Sequence, residues 1–379
     1  MRVEIARHDL HYALQHVAAA LLSRPVQPIL TGIKLQADMR QFTLTCTKLT
    51  MTLQYQLLSS SNSLEVTQAG STVVPARYFI DIVRSLPEGI VSLELIENTI
   101  LHVQAGQSNY RLATMNADEF PESNHGEARS SFLINNGELQ AIVKQVAFAA
   151  SASEVRPVLN GVSMSVREDG SKLKLLATDG VRLASRSSRL HADDSDSMPS
   201  AVVVEAKHLL DYSKMLADSA GDTQISFSEH GVRFATSSFS MQTSLIPGQF
   251  PPTDKLLPSA FSTATAIMLD TTPFAQAVGR VSLLAGNMHI IGLRIGEDDA
   301  ELFAASPDIG DVTEAVTFAE RSGEAITVFF NGKYMKEIVD AIDSEQMYVR
   351  LTGREKPIII ETTHGHDTYY ILTPIRSAY

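Results

Sequence analysis

The run His364-Gly365-His366-Asp367 contains residue types that bind catalytic metal ions. A zinc site needs three or four His, Cys, Asp or Glu ligands at defined spacing. No second run in the sequence supplies the missing ligands. We interpret the run as a turn between strands and predict no metal and no cofactor. An alternative hypothesis is a hydrolase that uses this run. Loss of an activity in His366→Ala, or bound metal found by elemental analysis, would support that hypothesis.

Two other reactive residues have simple structural interpretations. Cys46 ends the alternating run Phe42–Cys46, which is typical of a strand and predicts a buried thiol rather than a nucleophile. Asp179-Gly180 is typical of a turn rather than of a catalytic acid. The sequence has no phosphate-binding glycine loop and no nucleophile elbow. We therefore predict no catalytic residues and a protein that is not an enzyme.

The composition is that of a globular protein, with 44% hydrophobic and 20% charged residues among 379. No apolar run is long enough for a membrane helix, and the first residues do not resemble a secretory signal. With one cysteine as well, we expect a cytoplasmic protein with no membrane partner. The formal charge of −12 argues against nucleic-acid binding, but it does not tell where the charges lie.

The chain repeats itself with a long period. Glycines that open or interrupt apolar strands recur at positions 32, 161 and 292, which are 129 and 131 residues apart. A second marker recurs 130 and 126 residues apart, as Ala76-Arg77-Tyr78, Ala206-Lys207-His208 and Gly332-Lys333-Tyr334. The pairs Phe120-Pro121 and Phe250-Pro251 are also 130 residues apart. Three markers with a similar period indicate three copies of one domain.

Each copy contains the pattern of two helices and several hairpin strands. The first helices are predicted at 9–23, 138–150 and 273–285, and the second helices start at the recurring tripeptides. Alternating residues such as Met347, Val349 and Leu351 predict strands. We predict an α+β fold of three tandem two-helix, antiparallel-sheet domains at 1–121, 129–251 and 260–379. Polar or proline-rich linkers lie at 121–131 and 251–262.

Basic residues recur at equivalent positions of the helices. Arg77 and Arg84 are seven residues apart, which is about two helical turns, and Lys207 and Lys214 repeat that spacing. In the third copy Asp340 takes the place of the second cation. Ordinary solvated helix faces would also contain such residues. Their recurrence favours one shared positive surface.

Five segments, in order and on a threefold repeat, carry a family resemblance. They are Ser23-Arg24-Pro25-Val26-Gln27-Pro28-Ile29-Leu30, Glu154–Gly161, Ala177–Ala184, Gly248–Pro251 and Ile371–Arg376. Over essentially its whole length the chain resembles the bacterial DNA polymerase III beta subunit, the sliding clamp. The resemblance implies the DNA clamp fold: a head-to-tail homodimer closing into a ring of six domains, with helices lining the hole and strands outside.

The resemblance also implies partners and a role. The partners are duplex DNA bound without sequence preference, the catalytic subunit of the replicative DNA polymerase, a clamp loader complex and other proteins with a clamp-binding motif. The loader would act in trans, because this chain has no nucleotide-binding motif. The implied role is a processivity factor in DNA replication, cytoplasmic and associated with the nucleoid.

The resemblance implies three sets of site residues. The DNA-binding candidates are Arg24, Arg77, Lys144, Lys207, Lys214 and Arg280. The partner-peptide cleft comprises Leu159, Thr178, Gly180, Val181, Arg182, Leu183, Pro251, Lys255, Leu256, Ile371, Leu372, Thr373, Pro374, Ile375 and Arg376. The dimer contact comprises Tyr110, Leu112, Leu283 and Leu284.

The sequence departs from the family's pattern at three places. Many clamps have His at the position of Val181, a commonly apolar residue is Thr373 here, and the loop 285–290 has only His289 as a potentially charged residue. These departures favour an alternative hypothesis, a clamp paralogue that acts as an adaptor with altered or weak DNA and partner binding. The retained Arg24 and the paired helix cations favour the processivity clamp.

Overall fold

The computed structural model describes residues 1–21, 27–59, 63–121, 130–167, 170–192, 201–216, 220–253, 256–307, 309–363 and 368–376. It forms two compact units, one of Met1–Asn136, Ala192–Ser197 and Met215–Leu245, the other of Gly137–His191, Met198–Lys214 and Ile246–Tyr379. Within the described ranges the α-helices are α1 (Arg7–Val17), α2 (Ala76–Ser85), α3 (Asn136–Ala147), α4 (Ala206–Met215), α5 (Thr271–Ser282) and α6 (Gly332–Asp340). None of them is long and apolar enough to cross a membrane.

The strands of the described chain fall into three sets of nine. The first copy contains β1 (Arg2–Ala6), β2 (Gly32–Asp38), β3 (Gln41–Lys48), β4 (Met51–Leu58), β5 (Leu64–Gln68), β6 (Gly70–Pro75), β7 (Ile90–Ile96), β8 (Ile100–Ala105) and β9 (Ser108–Ala113). The second contains β10 (Ser130–Asn135), β11 (Gly161–Val166), β12 (Lys172–Thr178), β13 (Arg182–Arg189), β14 (His191–Ala192), β15 (Val202–Glu205), β16 (Asp222–Phe227), β17 (Gly231–Ala235) and β18 (Phe239–Ser244). The third contains β19 (Thr265–Asp270), β20 (Ile290–Ile295), β21 (Ala300–Ser306), β22 (Gly310–Ala315), β23 (Glu320–Gly323), β24 (Ile326–Asn331), β25 (Gln346–Leu351), β26 (Ile358–Thr362) and β27 (Thr368–Leu372).

The order of elements is the same in all three copies. Each begins with one strand and its first helix, continues with five strands and the second helix, and ends with three strands. Each copy builds a five-stranded and a four-stranded antiparallel sheet, such as β5-β1-β7-β8-β9 and β4-β3-β2-β6 in the first copy. The predicted α+β fold with three tandem domains is therefore confirmed.

Two seams join the sheets of successive copies. The five-stranded sheet of the second copy continues into the four-stranded sheet of the first, because β18 pairs with β4 over five residues. The five-stranded sheet of the third copy continues into the four-stranded sheet of the second, because β27 pairs with β13. The first seam lies within one compact unit and the second lies within the other. A copy defined by sequence is thus not a separate unit of structure.

Equivalent backbone hydrogen bonds close the two seams. The Ser244 amide donates to the Thr50 carbonyl at 2.9 Å, and the Thr373 amide donates to the Val181 carbonyl at the same distance. The donors are 129 residues apart and the acceptors 131. The repeat in the sequence therefore carries the pairing between copies as well as the fold of each copy.

A second recurring bond holds the segment that follows the last strand of each copy. The amide of Met115 donates to the Val73 carbonyl at 2.8 Å, and that of Ile246 donates to the Val203 carbonyl at 2.8 Å. In the third copy Ile375 donates in the same way to Phe329, at 2.7 Å. The sequence alone showed closing markers only in the first two copies, and this bond supplies the third.

Two of the recurring glycines, Gly32 and Gly161, mark a close approach of two strands, whereas Gly292 lies against the ring of Phe303. A Cβ atom at Gly161 would lie 2.4 Å from Val203 Cγ1 and 2.9 Å from the Val204 carbonyl oxygen. At Gly32 a Cβ would lie 2.4 Å from Val73 Cγ1. Since real Cβ atoms do not approach so closely, any larger residue would push the paired strands apart.

The burial of Cys46 and the starts of the second helices agree with prediction, whereas the first helices differ. Cys46 is buried in β3, and burial raises the pKa of its thiol, which confirms the structural interpretation. The second helices begin at Ala76, Ala206 and Gly332, as predicted. The first helices begin two residues earlier than predicted and end three to six residues earlier. Helix α1 follows strand β1 directly, and no side chain caps its N-terminus, so the usual start signal is missing.

Candidate functional site

The seam between β13 and β27 brings together many of the predicted cleft residues. Leu183 pairs directly with Ile371 across the seam, and both are buried in one cluster with Leu176 and Tyr369. Phe250 and Leu257, from the segment after the second copy, pack against this cluster. The apolar floor of the candidate cleft is therefore formed by two copies and the chain between them.

The loop between β12 and β13 is held by its own polar side chains. The Thr178 hydroxyl donates to the Arg182 carbonyl at 2.5 Å and accepts from the Gly180 amide at 3.1 Å. Asp179 Oδ1 accepts from the amides of Val181 and Arg182, each at 2.9 Å. Gly180 has a φ of +92°, a conformation that side chains rarely adopt. This loop presents Val181 to solvent with 41% of its surface exposed.

Arg182 is a buried anchor with only 7% of its surface exposed. Its Nε donates to Asp179 Oδ2 at 3.1 Å, its Nη2 donates to the Phe148 carbonyl at 3.0 Å, and its Nη1 donates to Glu337 of helix α6. The guanidinium also lies 4.5 Å from the ring centroid of Tyr334. One arginine thus ties the loop of the second copy to the second helix of the third.

Exposure divides the predicted cleft residues into a surface and its support. Val181, Gly180 and Leu256 are exposed. The other exposed members are Pro251, Thr373 and Arg376, the half-buried members are Thr178, Pro374 and Ile375, and the buried members are Leu159, Arg182, Leu183, Ile371 and Leu372. Lys255 lies outside the described residues. The exposed and half-buried residues can contact a partner, while Arg182 and Leu372 hold that surface from beneath.

Sequence reasoning missed the two residues of α6 that complete this arrangement. Tyr334 stacks on Arg182, and Glu337 accepts a hydrogen bond from it. Tyr334 is the third residue of the recurring tripeptide that starts each second helix, so a signal was present. Nothing in the local pattern showed that this position faces an arginine 152 residues earlier in the chain.

The predicted DNA-binding residues on helices are all exposed, but their surroundings differ. Within the described chain, Arg77, Lys144 and Lys207 take part in no salt bridge. Lys214 pairs with Asp211 at 3.3 Å. These four cations differ from Arg280, which binds a carboxylate through two nitrogens. Arg24 lies outside the described residues.

Arg280 of α5 and Glu314 of β22 form a two-pronged pair. Arg280 Nε lies 3.1 Å and 3.0 Å from the two carboxylate oxygens, and Nη2 donates to Oε1 as well. The hydrogen bonds from Arg280 lower the pKa of the Glu314 carboxyl. Because its charge is already matched, Arg280 is a weaker candidate for phosphate than the unpaired cations.

Two of the predicted dimer residues lie on an edge strand, and the other two follow a helix that contacts another edge strand. Tyr110 and Leu112 are half-buried on β9, the last strand of the five-stranded sheet of the first copy. Leu283 and Leu284 follow α5, and 78% of the Leu283 surface is exposed. Helix α5 contacts β22, the edge strand of the four-stranded sheet of the third copy.

The His364–Asp367 run, on which the hydrolase hypothesis depends, lies outside the described residues. Among the residues that are described, no three His, Cys, Asp or Glu side chains are grouped as they would be around a metal ion.

Comparison with known proteins gives one consistent result. Family models of the DNA polymerase III beta subunit match the chain in order, with the N-terminal domain at residues 1–124, the central domain at 133–252 and the C-terminal domain at 254–376. A beta sliding clamp of Staphylococcus aureus is 30% identical over 382 residues, covering 100% of both chains. A beta sliding clamp of Halalkalibacterium halodurans is 31% identical and covers 96% of each chain.

Solved structures agree with the sequence relatives. The DNA polymerase sliding clamp of Bacillus subtilis matches with a TM-score of 0.93 and 30% identity, covering 100% of this chain and 99% of that one. The DNA polymerase III beta subunit of Pseudomonas aeruginosa matches with a TM-score of 0.91 and 27% identity over 100% of both chains.

The buried position of Arg182 predicts a large loss of stability on truncation. Arg182→Ala leaves the carboxylates of Asp179 and Glu337 without their cation, and breaking such a pair lowers the free energy of unfolding by about 3 kcal/mol. Urea denaturation followed by circular dichroism measures the change. Arg84→Ala, which breaks an exposed pair with Asp81, is the matched control and should lower the free energy of unfolding by less than about 1 kcal/mol. Equal effects of the two substitutions would show that Arg182 is not an anchor.

Proposed function

The chain belongs to the DNA polymerase III beta subunit family, the bacterial sliding clamps. From this premise we propose that two chains associate head to tail and close into a ring around duplex DNA. The ring is a processivity factor that tethers the replicative polymerase through the cleft at the β13–β27 seam. It does no chemistry of its own and is opened by a loader acting in trans. The ring acts in the cytoplasm, in association with the nucleoid.

The proposal rests on two strands, β9 and β22, that each lie at the edge of a sheet without a neighbour on one side in the described chain. In each seam, the last strand of a five-stranded sheet (β18 or β27) pairs with the edge strand of a four-stranded sheet (β4 or β13). The equivalent strands β9 and β22 have no such partner in the described chain. Exposed backbone groups on a strand edge favour pairing with another chain. A second chain supplies its β22 to pair with β9 of the first chain, and its β9 to pair with β22 of the first chain. The contact is therefore heterologous and can close a ring.

The register of the two seams predicts the contact in detail. Thr243 lies opposite Met51, and Leu372 lies opposite Arg182. Strand pairing that starts from the equivalent residues Val203 and Phe329 makes Thr313 of β22 the counterpart of Ser185 of β13. The register therefore places Leu112 opposite Gly310 and Tyr110 opposite Val312 of the other chain. Glu314, on the same face of β22, faces α5, so Tyr110 and Leu112 would lie on the side where Leu283 and Leu284 follow that helix. The proposed dimer contact therefore keeps the four apolar residues implied by the family resemblance.

We assign partner binding to the exposed part of the cleft. Apolar walls with a few polar groups suit a short peptide that exchanges between partners. Val181 and Leu256 offer exposed apolar surface, and the backbone of the Asp179–Val181 loop is fixed by four hydrogen bonds. A fixed loop binds a peptide without being ordered first, which favours affinity. The partners are the polymerase, the loader and other proteins with a clamp-binding motif.

We assign DNA contact to the helix cations, with Arg77, Lys144 and Lys207 as the strongest members and Lys214, Arg280 and Arg24 as further ones. A few phosphate contacts without base contacts give weak binding that does not depend on sequence. Such binding suits a ring that must slide. We propose that the three clamp domains that carry these helices span residues 1–121, 129–251 and 260–379.

The adaptor hypothesis is not favoured. The family models cover the chain from its first to its third copy, and the curated relatives that match it over at least 96% of its length are named sliding clamps. Val181 and Thr373 alter the chemistry of the cleft surface without removing the seam that builds it.

A topological test distinguishes a ring from a surface binder. The protein is loaded onto nicked circular DNA with a clamp loader, and the circle is then cut. We expect retention on the circle and loss after linearisation, because a closed ring slides off a free end. Leu112→Asp, which places a charge in the proposed contact, should abolish retention, whereas Met39→Asp at an exposed hairpin turn should not. Retention that survives linearisation would contradict the proposal.

A truncation tests the cleft. Deletion of residues 374–379 removes part of the proposed cleft surface and the bond from Ile375 to Phe329. We expect loss of binding to a fluorescent clamp-binding peptide in anisotropy measurements, with the dimer intact by light scattering. The substitution Val181→Glu should weaken the same peptide without shortening the chain. Unchanged peptide affinity in both variants would show that the cleft lies elsewhere.

A further inference from the structure

A surface of positive charge adjoins the apolar floor of the proposed cleft. On one face of strand β12 lie Thr178, Leu176, Lys174 and Lys172, because alternate side chains of a strand point to the same side. Leu176 belongs to the buried cluster of the cleft floor, so Lys174 and Lys172 lie on the cleft face of the sheet, two and four residues further along the strand. At a rise of about 3.3 Å per residue, these separations are about 7 Å and about 13 Å.

The neighbouring strands supply two further cations on the same face. Lys174 pairs with a serine of β11 on one side and a serine of β13 on the other, and Lys172 lies opposite Arg189 of β13. The amide of Arg167 donates to the Lys172 carbonyl at 3.0 Å, which places Arg167 on the other side of Lys172. We call these four residues the cationic strip: Arg167, Lys172, Lys174 and Arg189.

The side chains of the cationic strip reach solvent. Arg167 and Arg189 are exposed, and Lys172 and Lys174 are half-buried. Among the residues that the structure describes, Lys174 and Arg189 take part in no salt bridge. Glu361, on the row of the sheet that contains Leu176, is already bound to an arginine at 2.8 Å. The strip is therefore open to an anion from outside.

The strip places positive charges side by side. Lys172 and Arg189 are directly opposite each other on neighbouring strands, where Cβ atoms are about 5 Å apart and like charges destabilise the pairing. Lys174 lies diagonally to Arg189, at about 7–8 Å. A bound anion would offset this repulsion. Folding alone gains nothing from such an arrangement.

The other two copies lack the strip at the equivalent positions. The recurring bond to the closing segment makes Val73, Val203 and Phe329 equivalent, and strand pairing from these residues gives the counterparts. Those in the first copy are neutral or acidic: Asp38, Gln41, Thr43 and Leu58. Those of the first three strip residues in the third copy are Gly296, Asp299 and Glu301.

The comparison of copies separates the strip from the requirements of the fold. Two copies build the same strands without these cations, so the fold does not need them. The strip occurs in the copy whose edge strand β13 carries the proposed cleft. This placement favours a role in the same binding event as the cleft.

We propose that the cationic strip receives an acidic segment of the protein whose apolar motif occupies the cleft. A bound chain that continues in extended form along β12 advances about 3.3 Å per residue, so carboxylates two to four residues from the residue over Leu176 face the two lysines. Ser165 and Ser187, beside Lys174, donate hydroxyl hydrogen bonds to the same carboxylates. The proposal rests on the proposed cleft and adds the chemistry of the partner beyond its motif.

The strip gives the protein a means to distinguish among partners that share one apolar motif. Exposed charges at the rim of a site change selectivity and association rate more than they change affinity. The net charge of −12 repels an acidic partner over most of the surface. A local positive strip beside the cleft therefore also orients such a partner as it approaches.

Extended peptides test the proposal. The fluorescent clamp-binding peptide of the cleft experiment is compared with derivatives that have four glutamates added at either end, and with derivatives that have four glutamines added. Anisotropy with the full-length protein gives each dissociation constant. We expect one glutamate derivative to bind about fivefold more tightly than the parent peptide, and the glutamine derivatives to bind as the parent does. Added salt should reduce this gain, because exposed charges are screened.

Protein variants locate the gain. The double substitution Lys174→Gln and Arg189→Gln should remove the gain from glutamate and leave the affinity of the parent peptide unchanged. The matched control is the double substitution Arg40→Gln and Arg233→Gln, which removes two exposed positive charges elsewhere and should keep the gain. Thermal melting checks that each variant is folded.

The failures of the strip and of the cleft are distinguishable. If the parent peptide binds but glutamate gives no gain, if glutamine gives an equal gain, or if the gain survives in Lys174→Gln with Arg189→Gln, the strip proposal is wrong and the cleft stands. If the parent peptide does not bind, the cleft is contradicted and the strip proposal falls with it.

Two further results would assign the strip to another occupant and overturn the proposal. A gain that appears only when the three acidic residues of the segment 193–196 are replaced by Asn would show that the chain's own carboxylates occupy the strip. Removal of the gain by oligothymidylate, with the affinity of the parent peptide unchanged, would assign the strip to nucleic acid.

Discussion

Backbone hydrogen bonding between strand edges of different copies is the interaction on which the rest of this structure depends. An unpaired edge in water is a site for unwanted association, so it must be paired, covered or blocked. Here the last strand of each later copy pairs with the edge of the preceding copy. That rule holds at two seams and leaves β9 and β22 as matching ends. The head-to-tail dimer that we propose is the same rule applied between two chains, and the proposed cleft lies over one of the two seams.

The two seams share their backbone bonds but not their side chains. At the seam of β4 and β18, the rings of Tyr55 and Phe239 are parallel at 6.4 Å, and His16 of α1 packs against both. At the seam of β13 and β27, Arg182 binds the loop and α6, while Arg186 donates to Gln145 at 2.5 Å. An aromatic cluster needs little besides burial, whereas a buried arginine requires every donor to be matched. The arginine seam is also the one at which we propose the cleft, where a fixed loop is useful for binding.

The sequence predicted what depends on local pattern. Gly32 and Gly161 mark close strand contacts, and the start of α6 coincides with a capping residue, Asn331, whose side chain accepts from the amides of Lys333 and Tyr334. The pairing of β18 with β4 could not be predicted, because alternation shows that a strand exists and not which strand lies beside it. Nor could the role of Arg182, since arginines are seldom buried and two of its partners, Tyr334 and Glu337, lie in a helix of another copy.

A cysteine pair across the proposed contact tests the central claim most directly. Strand residues directly opposite each other have Cβ atoms about 4.5–5.5 Å apart, which is within reach of a disulfide after small adjustments. Cys46 is buried and does not compete for oxidation. The variant with both Tyr110→Cys and Val312→Cys should form a covalent dimer on mild oxidation, and neither single substitution should. If light scattering shows a dimer but this cross-link does not form, the two chains associate through other surfaces.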